Sequence, residues 1–238
     1  MLNMHTLRAQ LPRPTQYPKG VLPTRELIEG TAFFPGGHGL WMEDGEPHFP
    51  VGGIMVLGHD FHSEAEYTKS LERGKENLKA ATWRELVLLL EAANIKRSEC
   101  FYTNFYMGLR ETTKTTGVFA GSLDPAYVQW CQQFFLEQLR QQRPRLILVL
   151  GLQVPKQLAP LADALQHWSE ATKLKDFNAE GMAMVHDVRF KDISFSTTCI
   201  ALAHPSQRRL NIRHRTYMGE TGQTAELLMI KDGLAPIR

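Results

Sequence analysis

Several apolar runs of the sequence lead directly into side chains that can transfer protons or form hydrogen bonds. These side chains are His59, Asp60 and His62 after residues 54–58, Asn104 at the end of residues 100–104, and His204 and Ser206 after residues 199–203. A carboxylate or an imidazole can activate water, and an imidazole can also stabilise negative charge on a leaving group. An asparagine amide offers both donors and an acceptor to a heterocycle. These residue types indicate hydrolysis or recognition of a heterocyclic substrate.

The elements that position these side chains are predicted from the spacing of apolar residues. Apolar runs without alternation are typical of strands buried on both faces, and they occur at residues 54–57, 100–104, 146–150 and 198–203. Helical patterns separate them, which predicts an α/β fold with a parallel sheet and helices on both faces. Because ligands bind at the carboxyl ends of such strands, we expect the polar groups to share one cleft. Gly58 permits the sharp turn after the first strand.

Two helix starts are indicated by local sequence. Thr82 and Glu85 have the spacing of a capping box, and apolar residues follow at helical intervals. Asp124 and Pro125 form an N-cap and first-turn pair at the start of a second helix. Both helices are expected to cover the sheet.

The second half of the chain is predicted with less regular elements. Residues 154–168 have a helical pattern in which Pro160 is expected to introduce a kink or a break. An edge strand is expected within residues 182–190, and a closing helix within residues 222–231.

Other segments have no sustained period. Residues 1–50 are rich in proline and are expected to wrap the core, with a short helix near residues 24–30. Residues 33–39 form a glycine-rich pattern that indicates a structural turn rather than a phosphate cradle. Residues 63–79 are charged, and residues 111–122 predict a loop that covers or borders a site.

Length and composition predict a single domain spanning residues 1–238, with its core at residues 52–215. The sequence has no run of about 18 apolar residues, so no membrane span is predicted. The N-terminal stretch lacks the pattern of an export signal. We therefore expect a cytoplasmic monomer. Cys100, Cys131 and Cys199 are widely spaced among apolar residues, which predicts buried thiols. The formal charge of +2 does not by itself identify a polyanionic partner.

A basic segment follows the histidine of the fourth strand. Residues 208–215 contain four arginines and no acidic residue, with Leu210 and Ile212 between them. A basic loop beside a cleft can bind phosphates, and an apolar residue within it can fill the space left by an extruded base.

The succession of these motifs resembles the uracil-DNA glycosylase superfamily over roughly residues 52–215. The similar features are a Gly-x-Asp loop after the first strand, an Asn after the second, a Leu-Val-Leu-Gly third strand and a His-Pro-Ser loop after the fourth. The resemblance implies a three-layer α/β/α sandwich with a central four-stranded parallel sheet. It also implies hydrolysis of the N-glycosidic bond of uracil or a related damaged base flipped out of DNA, in base-excision repair. The reaction implied by the resemblance needs no metal or cofactor. The iron–sulfur branch of the superfamily needs four cysteines, and this chain has three.

By this resemblance the residues take specific roles. Asp60 activates water and stabilises the oxocarbenium ion, and His204 stabilises the departing base. In some branches the catalytic side chain directly follows the glycine, which would give this role to His59. The expected base-binding residues are Gly58, Phe61, His62, Asn104 and Phe105, with Phe61 or Phe105 stacking on the base. The expected DNA-binding residues are Ser206, Arg208, Arg209, Leu210 and Arg213.

Two other functions remain open at this point. His59, Asp60, His62 and His204 have the chemistry to bind zinc or manganese in a metal-dependent hydrolase. Alternatively, the chain has lost catalysis and only binds nucleic acid or a nucleobase. The Gly-His-Asp-Phe loop motivates that alternative, because Phe61 stands where this superfamily usually has proline.

Overall fold

The computed structural model describes residues 14, 16–24, 50–73, 76–112, 117–179 and 182–235. The helix expected near residues 24–30 falls outside these ranges except for its first residue, and the turn at residues 33–39 falls outside them entirely. Most of the wrapping segment expected at residues 1–50 also lies outside the described residues. The strands and helices that carry the candidate site lie inside them.

The described residues form nine strands and six α-helices, together with short 3₁₀ helices. The strands are β1 (Val21–Leu22), β2 (Ile54–Gly58), β3 (Cys100–Asn104), β4 (Leu109–Arg110), β5 (Leu146–Leu150), β6 (Met184–Val188), β7 (Thr197–Leu202), β8 (Thr216–Tyr217) and β9 (Glu220–Thr221). The α-helices are α1 (Glu64–Arg73), α2 (Ala81–Ala92), α3 (Pro125–Gln142), α4 (Gln153–Leu158), α5 (Arg208–Asn211) and α6 (Gly222–Leu234). Among the 3₁₀ helices are Ala159–Leu161, Asp163–Ser169 and Leu174–Asn178.

The central sheet is mostly parallel and has five strands in the order β3-β2-β5-β7-β6. Strands β3, β2, β5 and β7 pair in parallel, and β6 pairs antiparallel to β7 at one edge. The sequence therefore predicted the four parallel strands and an edge strand. The expected four-stranded sheet was wrong, because the edge strand joins the central sheet as a fifth strand. Every residue of the four parallel strands is buried, which explains their continuous apolar runs.

Helix α3 begins as predicted, and α2 does not. The carboxylate of Asp124 accepts a hydrogen bond of 2.9 Å from the backbone N–H of Tyr127 at the start of α3. Helix α2 begins at Ala81, and its N-cap residue makes no side-chain capping bond. The capping box predicted at Thr82 was therefore wrong. Its second member, Glu85, forms ion pairs with Arg84 and Arg209 instead.

The proline at position 160 divides the predicted helix of residues 154–168. Helix α4 ends at Leu158, and the 3₁₀ helices Ala159–Leu161 and Asp163–Ser169 follow it. This break is expected because proline lacks the N–H that continues an α-helix.

The core lies between the sheet and the helices. Helix α3 buries Cys131, Phe135 and Leu139, and α6 buries Met229 and Ile230. The three cysteines of the chain are free buried thiols, as predicted. Within the described part of the chain, no helix has the length and apolar character needed to cross a membrane.

Candidate active site

A cavity of about 1440 Å³ opens at the carboxyl edge of the parallel strands. Its lining brings together most of the predicted site residues, namely Gly58, His59, Asp60, Phe61, His62, Asn104, His204 and Ser206. These residues come from the ends of β2, β3 and β7, as the topology of a parallel sheet requires. The volume exceeds the ~300–1,000 Å³ of an ordinary small-molecule pocket. It is larger than the space for a single nucleobase and has room for neighbouring parts of a polymer.

The backbone holds the ends of β2 and β3 side by side. Gly58 and Asn104 are partners in the parallel register of the two strands. Beyond them, the N–H of Phe105 donates to the carbonyl of Gly58 and the N–H of Tyr106 donates to the carbonyl of His59, both at 2.9 Å. The polar loop after β2 therefore lies directly against the residues that follow β3.

Gly151, at the end of β5, allows His204 to approach the middle of the sheet. A Cβ atom at Gly151 would lie 3.2 Å from the Cβ of His204, closer than most packed side chains permit. The φ angle of +84° at Gly151 also favours glycine. The apolar run 146–150 is thus followed directly by the residue that leaves room for the histidine after β7.

The carboxylate of Asp60 accepts hydrogen bonds on both oxygens. Oδ1 accepts from Nε of Arg110 at 3.1 Å and from the backbone N–H of His62 at 2.9 Å. Oδ2 accepts from Nη2 of Arg110 at 2.8 Å and contacts Nδ1 of His59 at 2.7 Å. Burial raises the pKa of Asp60, but hydrogen bonds from His59 and Arg110 outweigh burial and hold this pKa well below its usual range. Asp60 is therefore an anion whose hydrogen-bonding capacity is used within the protein.

His59 is held in one orientation by this carboxylate. Because ionised Asp60 can only accept, the proton between them belongs to Nδ1 of His59. The ring of His59 packs edge-on against Tyr106 at 5.0 Å and Phe119 at 6.3 Å between centroids. Among the described residues, none forms a hydrogen bond with Nε2 of His59. This nitrogen is the proton acceptor that the arrangement offers to the cavity.

The ring of His204 is oriented by contacts with Ser206 at its Nδ1. The backbone N–H of Ser206 donates to Nδ1 of His204 at 3.3 Å, and the Ser206 hydroxyl contacts the same nitrogen at 2.9 Å. A backbone N–H can only donate, so the neutral ring carries its proton on Nε2. Burial lowers the pKa of His204 to about 4, with a further contribution from nearby His59. At neutral pH His204 is therefore an uncharged hydrogen-bond donor.

Arg110 was not among the predicted site residues, although it organises this part of the cavity. Besides Asp60, its guanidinium donates to the backbone carbonyls of Gly117 at 3.1 Å and Val118 at 3.4 Å. It thereby attaches the described end of the loop expected at residues 111–122 to the site, and Gly117, Val118 and Phe119 border the cavity. Residues 113–116 of this loop lie outside the described residues. An arginine at the end of the largely apolar run 105–109 was the available signal, since a charge that is buried with such a run needs a partner.

Two predicted site residues belong to the protein interior instead. Phe105 is fully buried, where it packs against Tyr106 and Phe135, and it is outside the cavity lining. Arg208 is 5% exposed and forms an ion pair with Glu226 on α6. Neither position is accessible to DNA, so base stacking by Phe105 and phosphate binding by Arg208 were wrong.

The other predicted DNA-binding residues are exposed beside the cavity. Arg209, Leu210 and Arg213 lie on or just after α5, and Leu210 is 72% exposed. Arg209 donates from Nε to Glu85 at 3.0 Å. Their neighbours Gln207, Asn211 and His214 line the cavity. These side chains therefore form part of its border.

The metal-site alternative loses its geometric basis. Within the ranges that the structure describes, no group of three or more His, Cys, Asp or Glu side chains is placed to hold a metal ion. His59, Asp60, His62 and His204 share the cavity but do not form such a group.

Sequence comparison with protein families and curated proteins adds no relationship. No protein-family model matches the sequence, and no curated protein matches it either. The chemistry of the cavity therefore has to be derived from its own residues.

Proposed function

We propose that the protein is a DNA glycosylase that hydrolyses the N-glycosidic bond of uracil or a related damaged base flipped out of DNA, in base-excision repair. The observation that carries the proposal is that His59, Asp60, Asn104 and His204, which are far apart in sequence, line one cavity. The four parallel strands are compatible with a uracil-DNA glycosylase-like three-layer sandwich, which is part of the same proposal.

His204 stabilises the base as it leaves. When the bond between the sugar and the base breaks, its electron pair moves onto the base and negative charge develops on a carbonyl oxygen. The Nε2–H of neutral His204 donates a hydrogen bond to that oxygen, while Nδ1 remains bonded to Ser206. The low pKa of His204 suits this role, because the ring stabilises charge as a neutral donor at physiological pH.

His59 activates the attacking water, and Asp60 acts through His59. The two oxygens of Asp60 already accept from Arg110, His59 and the backbone of His62, which fills the roughly four lone-pair sites of a carboxylate. Nε2 of His59 takes the proton from water, the hydroxide adds to the anomeric carbon of the sugar, and the base departs with the bonding electrons. Asp60 fixes the ring and stabilises the imidazolium that forms.

Base recognition is assigned to the other side of the cavity. Asn104 lies at the end of β3 in the cavity lining, where an amide can bond to a pyrimidine edge. Phe61 is half-buried in the same lining and is the aromatic residue proposed to stack on the base. Leu210 is proposed to fill the space that the flipped base leaves in the duplex.

A second candidate function is binding without catalysis. The ion pair between Asp60 and Arg110 supports it, because that pair neutralises a carboxylate which would otherwise face the cavity as a free anion. In that case the cavity would bind a nucleobase and release it unchanged.

The deciding experiment is incubation with oligonucleotides that carry uracil, hypoxanthine, xanthine or an oxidised pyrimidine, followed by alkali to cut abasic sites. We expect cutting at one or more of these lesions in excess chelator. We expect His204→Ala to abolish it, and the matched His186→Ala, which changes a histidine on edge strand β6, to retain it. Binding of these oligonucleotides without any cutting would favour the second candidate and contradict glycosylase activity.

A further inference from the structure

A short helix that sequence motifs did not identify forms another border of the cavity. Lys173, just before the 3₁₀ helix Leu174–Asn178, and Lys175 within it line the cavity and are exposed. Neither lysine forms an ion pair with a described residue. Two cations are therefore available to a ligand that enters here.

Buried side chains attach this helix to the protein core. Leu174 and Phe177 are buried, and Phe177 packs edge-on against Trp168 with 6.1 Å between the ring centroids. The guanidinium of Arg215 lies over the ring of Phe177 at 6.0 Å. The two lysines therefore extend from a packed platform, which lowers the entropy that the backbone would lose on binding.

Asn178 joins the same helix to the end of the basic segment. Its Nδ2 donates to the backbone carbonyl of His214 at 2.6 Å, and its Oδ1 accepts from the backbone N–H of Thr216 at 3.1 Å. His214 lines the cavity, and the exposed Arg213 donates from Nε to Nε2 of His214 at 3.2 Å. We call Lys173, Lys175 and Arg213, held together by Asn178, the basic rim.

The charges around the cavity are unevenly distributed. Asp176 is the acidic neighbour of the basic rim, and its carboxylate accepts from the backbone N–H groups of Thr172 at 2.8 Å and Lys173 at 3.0 Å. Another part of the lining contains Glu66 and Glu76 together with Arg73. A polyanion is attracted to the basic rim and gains less at the part that carries carboxylates.

We infer that the basic rim binds backbone phosphates of the DNA strand that carries the target base, with Lys173 and Lys175 each neutralising one phosphate. This inference rests on the proposed function, since it assigns a position to the strand whose base enters the cavity. Its physical basis is release of counterions, which makes affinity depend on salt in proportion to the number of phosphates neutralised.

The experiment compares two double variants that remove the same charge. Lys173→Gln/Lys175→Gln removes both lysines of the basic rim. Lys96→Gln/Lys191→Gln removes two exposed lysines near the opposite, amino edge of the sheet, before β3 and after β6. Binding of a fluorescein-labelled single-stranded oligonucleotide with one uracil is measured by anisotropy over a series of salt concentrations.

Each single-strand phosphate contact contributes about 0.7 to the magnitude of the negative slope of log affinity against log salt. We therefore expect the rim variant to reduce that magnitude by about 1.4 and to weaken binding about 20-fold near 0.1 M salt. The opposite-edge variant should leave the slope unchanged. An unchanged slope in the rim variant, an equal loss in both variants, or no binding by the wild-type protein would each overturn the inference.

Base release is measured separately in the same samples with alkali. A reduced slope without any base release would leave the phosphate site standing and contradict the glycosylase. Base release with an unchanged slope would support the glycosylase and contradict the phosphate site.

Discussion

The backbone N–H of Ala203 donates a hydrogen bond of 2.7 Å to Oε1 of Glu226, so the end of β7 is anchored to the last helix one residue before His204. Glu226 is fully buried, and it also forms ion pairs with Arg208 and Arg215. One carboxylate therefore holds both the loop that carries His204 and the two ends of the basic segment.

Replacing Glu226 with glutamine tests this anchor. Glutamine keeps an oxygen for the N–H of Ala203 but removes the charge that balances Arg208 and Arg215, which are 5% and 0% exposed. We expect the free energy of unfolding in urea to fall by about 3–5 kcal/mol, the usual cost of leaving a buried charge unpaired. Glu220→Gln, in the exposed β9, should change it by less than about 0.5 kcal/mol. Equal stability of the two variants would contradict the anchoring role.

Replacing His59 tests whether His59 or Asp60 is the group that contacts water. Asp60 is ionised and His204 is neutral from pH 5.5 to 8, because the pKa of each is lowered. Neither can therefore cause the single-turnover rate to fall as the pH decreases through this range. We expect His59→Asn to lower the single-turnover rate about 100- to 10,000-fold throughout this range, because the variant has no base to accept the proton of water.

His186→Asn, on edge strand β6, is the matched control for His59→Asn. His186 lies outside the cavity lining, so this variant should keep the wild-type rate. If Asp60→Asn abolished base release while His59→Asn kept the wild-type rate, Asp60 would be the group that contacts water.

The lowered pKa of His204 also affects stability. With a folded pKa of about 4 and an ordinary value of 6.5, His204 binds a proton less readily in the folded protein than in the unfolded chain. Between these values the unfolded state binds more protons, so the free energy of unfolding decreases as pH falls from 6.5 to 4. We expect this ring to account for about 1–3 kcal/mol of the decrease, from about 1.4 kcal/mol per pKa unit reduced by solvent in the cavity. Urea unfolding of His204→Asn, compared with the wild-type protein at both pH values, measures the contribution, and parallel curves would contradict it.

The sheet could be predicted from the sequence because its strands are buried on both faces. Apolar runs placed β2, β3, β5 and β7 within one residue of their observed ends. Helix α1 was missed for the opposite reason, since Tyr67 is its only buried residue and most of its other residues are charged or polar. Local patterns predict elements that carry core residues better than elements that lie mainly in solvent.

The predicted sheet topology was enough to bring together His59, Asp60, Asn104 and His204. The ion-pair partners of the charged residues could not be predicted in this way. Asp60 is balanced by Arg110, 50 positions later in the chain. A run of arginines usually indicates an exposed surface, and here Arg208 turns inward because Glu226 on α6 neutralises it. Pairings between distant charges leave no periodic signal in a sequence, so the roles of individual arginines needed coordinates.

Either Phe61 or Phe105 was expected to stack on the base, and the structure distinguishes them. Phe105 is 0% exposed in the core, so Phe105→Ala should lower the free energy of unfolding by about 3–5 kcal/mol. Phe61 is half-buried and lines the cavity, so Phe61→Ala should cost about 1 kcal/mol in stability. Its larger effect should be on binding, where loss of one base–aromatic stack weakens affinity for a uracil-containing oligonucleotide about 5- to 150-fold. Because both changes remove the same ring, a stable Phe105→Ala that loses binding while Phe61→Ala retains it would reverse the assignment and place the base on the other side of β3.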